Sequence, residues 1–435
     1  MKTNSRIAIL HYAVPPVIGG VEVTIAAHAR LLREYGYAVK LIAGRGDDAT
    51  IIPEIDSRHP RVESVQRELH RGSVPEEFHA LVQEIFAALE RELRDADVLL
   101  AHNVVTLHKN LALTTALHQL VTQREIKFVA WSHDFAWADP VYADAVHDGF
   151  PWDLLKRAWE NTTYVVVSES RQHELARVLN LDAAKIFVVP PGLDAAEFFQ
   201  VSETTARWLR ALKLFDAAPL LLLPARVTRR KNIELAIDIV NGLCEKGYAP
   251  KLLVMGPLGP HNPANQQYLQ ELKTRAAQVS FRAFAAMTPQ REISDPSDKR
   301  FLTSAARNDQ AGSIVFLQEH GTVDDATRRD LYALADALLF PSAREGFGIP
   351  ILEAGIARLP IFCADIPPFR ETAREFANYF SLDESPQDIA AHIANFFEND
   401  ARYQLKQRVK QNYLWGHIFT TRIEPLLRKD VPSGK

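Results

Sequence analysis

At 435 residues the chain is too long for one hydrophobic core and suggests two large domains. Its 47% apolar and 24% charged content is that of an ordinary globular protein. The 50 basic and 54 acidic residues give a formal net charge of −4, so bulk electrostatics make no case for nucleic acid, and phosphate must be met by local cations.

In chain order, Met1–Arg6 is polar, and Ile7–His11 is only strand length before Pro15-Pro16 interrupts it. No targeting segment is read there, and a cytoplasmic location is the simplest expectation. No apolar run approaches the roughly 18 to 20 residues needed to span a bilayer. Arg30, Arg33 and Lys40 decorate the helical stretch after Gly20; a solvated face is the plainer reading and peripheral membrane contact the other. Strands are predicted over Ile7–His11, Ala38–Ala43, Val98–His102, Phe128–Ser132, Tyr164–Ser168 and Ile186–Pro190, with helices such as Glu22–Tyr35 and Glu76–Asp95 between them. After Asp194 the same grammar restarts. Strands are expected over Leu220–Ala225, Lys251–Met255, Ser313–Leu317, Ala337–Phe340 and Ile361–Ala364, with helices Asn232–Gly247 and Asp325–Ala335. This alternation predicts an α/β protein of two Rossmann-like, doubly wound parallel-sheet domains. The boundaries fall at 1–195, 196–412 and a terminal segment 413–435. Phe281–Gly312, polar and with Pro289 and Pro296, reads as a surface insertion or a lid.

The motifs sit just after strands, where doubly wound sheets bind ligands. After Ala337–Phe340 comes Glu345-Gly346-Phe347-Gly348-Ile349-Pro350, and then Glu353. Pro350 suits the first turn of a helix, whose free amides, reached past glycines, make an anion site. An anion cradle flanked by two acceptor-only carboxylates fits a sugar nucleotide. Arg226 to Lys231 is a dense cationic cluster after Leu220–Ala225, its alternative being a solvated loop. Gly19-Gly20 follow the first strand; His102-Asn103 and His133-Asp134 follow two others. Asp95 and Asp97 precede a strand and read as solvated, and no other cluster has metal-ligand spacing, so no metal and no cofactor are expected. Cys244 and Cys363 read as small core residues.

E-G-F-G-x-P-x-x-E after an apolar strand resembles the E-x7-E signature of retaining glycosyltransferases of the GT-B fold, family 4 in particular. Arg226/Lys231, Gly19-Gly20-Val21-Glu22, Ser132-His133-Asp134 and Val188–Asp194 are similar to other motifs of that family in the same order, with Pro191 where Asn is usual. The resemblance implies two domains facing a cleft, with a terminal helix crossing back to the first. It implies a metal-independent, front-face transfer of a hexose from a nucleotide-diphosphate sugar, of the UDP-glucose or GDP-mannose type, to an acceptor hydroxyl. By the same resemblance His133, Glu345, Arg226 and Lys231 are catalytic. Gly20, Gly346, Phe347, Gly348, Ile349 and Glu353 join Arg226, Lys231 and Glu345 in holding the donor, with Glu353 on the ribose. Gly19, His102 and Asn103 are candidate acceptor contacts. The acceptor's identity and the oligomeric state are left open. A nucleotide-sugar epimerase of the same fold and a non-catalytic binding protein are the rivals. A nicotinamide oxidoreductase is disfavoured, because no G-x-G-x-x-G follows the first strand.

Overall fold

The computed structural model describes residues 5–259, 262–287 and 312–428. The chain divides into two compact units. One runs up to Leu193 and is joined by the segment from Asn412; the other is Asp194–Gln411.

The first unit holds a seven-stranded sheet of β1 (Arg6–His11), β2 (Ala38–Ala43), β3 (Thr50–Ile51), β4 (Val98–His102), β5 (Lys127–Ser132), β6 (Thr162–Val166) and β7 (Ile186–Val188). All pairs are parallel, in the order β3-β2-β1-β4-β5-β6-β7. The strands are buried on both faces, which is why they read as continuous apolar runs. The strand order reverses between β1 and β4, the switch point where such sheets bind ligands. β6 stops two residues short of the predicted strand because Ser168 is needed as a cap. Its side chain accepts from the Arg171 amide and opens the helix Glu169–Leu179.

The second unit repeats the plan in a six-stranded parallel sheet. β8 (Leu220–Leu223), β9 (Lys251–Val254), β10 (Ile314–Phe316), β11 (Ala337–Phe340), β12 (Ile361–Ala364) and β13 (Asn378–Phe380) are ordered β10-β9-β8-β11-β12-β13. Its switch point lies between β8 and β11. The helix Ile233–Glu245 packs Ile237, Val240 and Leu243 into this core, and Cys244 and Cys363 are buried free thiols. The helix Ala264–Met287 covers the start of the segment Phe281–Gly312 that reads as a polar insertion; 288–311 lie outside the described residues.

The segment after Asn412 completes the first unit. Trp415, Ile418, Phe419, Ile423, Leu426 and Leu427 share one core with Ile7, Ile9, Leu100 and Val129. The Leu193 amide donates to the Tyr413 carbonyl at 2.7 Å, and the Trp415 amide returns the bond to Leu193 at 3.2 Å. Gly192 is required here, since a Cβ would lie 2.5 Å from the Trp415 ring.

Two of the three cations after Gly20 have acidic partners. Arg30 meets Glu34 at 3.3 Å, and Lys40 meets Glu92 at 2.7 Å. Among the described residues no helix is long and apolar enough to cross a membrane.

Candidate functional site

Each unit gathers side chains at the carboxyl ends of the strands beside its switch point. In the second unit β8 runs out through Pro224 into Arg226 and the short turn Arg229–Lys231. β11 runs out through Ser342 to Glu345. These adjacent strand ends bring residues 114 apart in sequence into contact: the Lys231 ammonium forms a short ion pair with Glu345 Oε1, and both groups are buried. Arg230 Nη1 stands 3.5 Å from Glu345 Oε2. The main chains are also joined, the Ala343 amide donating to the Arg230 carbonyl at 2.9 Å. Burial pushes the Lys231 pKa down, Glu345 pushes it back up, and Arg230 and Arg226 lower it further. A buried ammonium needs such a counter-charge, because an uncompensated ion in the interior is costly.

Arg226 is exposed and makes no ion pair among the described residues. It lines a cavity of about 630 Å³ with Thr228, Arg229, Arg230, Lys231 and Asn265, and the Thr228 hydroxyl is a buried group with no protein partner. Arg229 Nη2 on this cavity donates to Glu271 at 2.8 Å, and Arg230 and Lys231 meet Glu345, so Arg226 is the lining cation left without an acidic partner among the described residues. Gly256 closes up behind it, since a Cβ there would lie 2.3 Å from the Ala225 carbonyl oxygen.

Next to Glu345 the helix Ile349–Ile356 begins, with Pro350 in its first turn. Its N-cap is Gly348, at φ +95°, and no side chain caps its amides. Phe347 and Ile349 are exposed around that end. Gly346 has open space where a Cβ would stand. Glu353, one turn in, is held elsewhere. Tyr332 donates to its Oε2 at 2.6 Å, and Arg328 stands 3.6 Å from its Oε1. These three groups line a separate cavity of about 530 Å³ with Leu352 and Ile356. No bond in the described residues links Glu353 to the Lys231–Glu345 pair. Tyr332 and Arg328 were not read from the sequence; they carry no motif of their own and are identified only by their contact with Glu353.

In the first unit β1, β4 and β5 end side by side on His11, His102 and Ser132, the last followed by His133. His133 is half-buried. Its ring Nε2 lies 3.3 Å from His102 Nδ1, and its backbone amide donates to Asn103 Oδ1 at 2.7 Å. The same Asn103 oxygen accepts from the Asp134 amide at 3.3 Å. Asn103 takes the left-handed conformation, φ +59°, which asparagine tolerates better than most residues. His102 and Asn103 are buried behind His133, each within hydrogen-bond reach of it.

His11 and His28 complete a histidine cluster that the sequence did not reveal. His11 Nδ1 donates to the His102 carbonyl at 2.8 Å, and its Nε2 lies 3.9 Å from Glu22. Gly19 packs its backbone against that Glu22 carboxylate. The His28 ring sits 5.4 Å from that of His102, with neither nitrogen partnered. Burial holds His11 and His133 at pKa about 4 and His28 at about 3, and it keeps His102 well below the usual range, so the cluster is neutral at pH 7.

Asp95 and Asp97 are ion-paired with Arg6 at 3.4 and 3.6 Å, before β4 and away from its carboxyl end. No three His, Cys, Asp or Glu side chains stand together with metal-ligand geometry among the described residues.

Two doubly wound parallel-sheet units, each with polar groups at its switch point, define a two-unit α/β protein. Sequence comparison names the class more closely. Residues 18–197 match the model described as Glycosyltransferase Family 4, and residues 309–413 match Glycosyl transferases group 1. A Mannosylglucosylglycerate synthase of Thermotoga maritima is 26% identical across 98% of this chain and 99% of that protein. The protein of the same name from Petrotoga mobilis is 24% identical across 84% of each chain. A 71-residue stretch, 16% of this chain and 9% of the relative, is 48% identical to the Serotype-specific mannosyltransferase WbdA of Escherichia coli. Among solved structures, WaaG, a glycosyltransferase involved in lipopolysaccharide biosynthesis, aligns over 97% of both chains at 15% identity, with a TM-score of 0.32. The chain is a GT-B glycosyltransferase of the family 4 type.

Proposed function

We propose that the protein is a retaining mannosyltransferase that takes its sugar from GDP-mannose and passes it to an acceptor hydroxyl. The observation that carries this reading is the cavity at the end of β8, lined by Arg226, Arg229, Arg230 and Lys231, together with the helix after Gly348, whose amides no side chain caps among the described residues. Such a surface suits a diphosphate. Mannose is favoured over glucose by the names of the relatives, two of nearly full length and others matching over short stretches. UDP-glucose is the alternative donor.

In this reading the acceptor oxygen attacks the anomeric carbon from the face that the diphosphate leaves. The bond from that carbon to the phosphate oxygen breaks as the bond to the acceptor forms, and the leaving phosphate oxygen takes the acceptor proton. Lys231 and Arg226 stabilise the charge that develops on the diphosphate, the effect that usually dominates such catalysis. Glu345, already beside Lys231, turns to the sugar hydroxyls; Glu353 gives up its Tyr332 and Arg328 partners to accept from the ribose; and His133 contacts the transferred sugar. No metal takes part, and activity survives EDTA.

The test is a donor screen by thermal shift, followed by assay with acceptor and assignment of the product's anomeric configuration by NMR. A bound donor stabilises by about 2.7 kcal/mol at a hundredfold excess over Kd. GDP-mannose is expected to shift Tm and UDP-glucose is not. An inverted product, or activity lost to EDTA and restored by magnesium, would overturn the mechanism while leaving the transferase assignment intact.

A further inference from the structure

We propose that His102 is a positioning residue that fixes the tautomer of His133, so that His133 presents its Nδ1–H, a hydrogen-bond donor, to the substrate. The inference rests on the reading of His133 as a substrate contact.

His102 Nδ1 and His133 Nε2 face each other at 3.3 Å, and two neutral imidazoles can share that contact in only two ways. If His102 Nδ1–H donates, His133 Nε2 is the acceptor and His133 carries its proton on Nδ1. His102 Nε2 is then a bare lone pair. If His133 Nε2–H donates instead, His102 must carry its proton on Nε2. That nitrogen is buried and has no partner, and the His102 ring is wholly excluded from solvent. A stranded N–H is rarer in protein interiors than an under-used acceptor.

The surroundings favour the same choice. Trp131 stacks on the His102 ring, centroids 5.5 Å apart, and its indole N–H is itself buried and unpartnered. The pocket already holds stranded donors, this indole and the one N–H of the neutral His28 ring, neither of whose nitrogens has a partner among the described residues, and it gains nothing from another. The doubly protonated alternative is excluded by burial, which holds both rings neutral at pH 7; of the charged groups acting on His133, Asp134 and Glu22 oppose burial without reversing it. The His133 main chain is fixed separately by Asn103, so His102 is left to set the ring alone.

His133 in its Nδ1–H form can donate to a sugar or acceptor oxygen but cannot act there as a base. Nitrogen-15 NMR of the histidine rings in the intact protein at pH 7 reads the tautomer directly, with the His133 signals assigned by their loss in His133→Ala. Neutral His133 protonated on Nδ1 is expected; protonation on Nε2 would overturn the proposal.

Replacement of His102 supplies an independent readout. An asparagine places its amide N–H near the position of Nδ1, while a glutamine places it near Nε2. His102→Asn should hold kcat within about threefold, whereas His102→Gln should lose about tenfold or more with the acceptor KM little changed, the size expected for one hydrogen bond. Equal rates in the two variants would sink the positioning role. Full turnover in His133→Ala would remove the substrate contact itself, and the positioning role with it, while the wild-type tautomer still reports whether the proton count was right.

Discussion

Lys231 and Glu345 show how a residue can be bound to two duties. The ammonium is buried and stays charged because Glu345 stands against it, while Arg226, close by, is exposed and makes no ion pair among the described residues. Arg226→Ala should therefore keep its Tm yet lose about two to three orders of magnitude in kcat, the 2.7–4 kcal/mol typical of one preorganised donor at a charge-developing site. Lys231→Ala should lose a similar factor and also fall in Tm, since removing one partner of a buried pair costs about 3–5 kcal/mol. The double variant Lys231→Met, Glu345→Gln separates the two duties: calorimetry should show much of the stability regained, with no return of activity. A double variant as unstable as Lys231→Ala would mean that the pair is not what holds these strand ends together.

The helix after Gly348 joins local geometry to ligand approach. Gly348 sits at φ +95°, with Phe369 only 3.0 Å from where a Cβ would stand. Gly348→Ala should lower stability by at least the roughly 1–2 kcal/mol cost of a left-handed residue. Gly346→Ala meets nothing within 4 Å and should leave Tm unchanged, so any loss of donor affinity in that variant reports a blocked approach to the backbone. Elements of this kind were legible in the sequence. Parallel strands buried on both faces are unbroken apolar runs, and a carboxylate, two glycines and a proline after one of them mark a strand-to-helix loop. β3 and β13, of two and three residues, are too short to show a period. The histidine cluster was only half legible. His102 and His133 stood out as polar strand ends, but His28 lies among the buried positions of the helix Gly20–Glu34 and looks like any core residue there. Its meeting with His102 depends on β1, β4 and β5 being neighbours, which no local pattern discloses. The Lys231–Glu345 pair was hidden for the same reason.

At the scale of the whole molecule the buried histidines set an acid limit. An unfolded histidine titrates near 6.5, whereas His11, His133 and His108, the last buried in the short turn His108–Asn110 after β4, titrate at about 4 and His28 at about 3 in the fold. As pH falls below about 6.5 the unfolded chain takes up protons that the folded chain refuses, so stability is complete above that pH and drains away toward pH 4, each site costing at most about 1.4 kcal/mol per pH unit. Calorimetry from pH 7 to 4.5 should show the steepest fall in the transition of the first unit. His28 has no partner on either nitrogen among the described residues, so His28→Phe should be tolerated at pH 7 and should flatten that fall. A pH dependence unchanged by that substitution would place the acid sensitivity elsewhere.

The bridge between Leu193 and Leu414 also bears on how the protein is made. It ties together the point where the chain leaves the first unit and the point where it comes back, so the second unit is an insertion whose ends join the first at neighbouring places. A ribosome therefore delivers Ile7 and Ile9 early and the Trp415, Ile418 and Phe419 that cover them some four hundred residues later. The second unit has all its strands before the first has its last packing face. A chain stopped after Gln411 should thus yield a second unit with native stability beside a first unit that binds hydrophobic dyes and aggregates. The same product with both units melting as in the full chain would show that the closing segment is dispensable for assembly. During synthesis the half that starts first is the half that finishes last, and its apolar face must wait in the nascent chain for the final turn of helix.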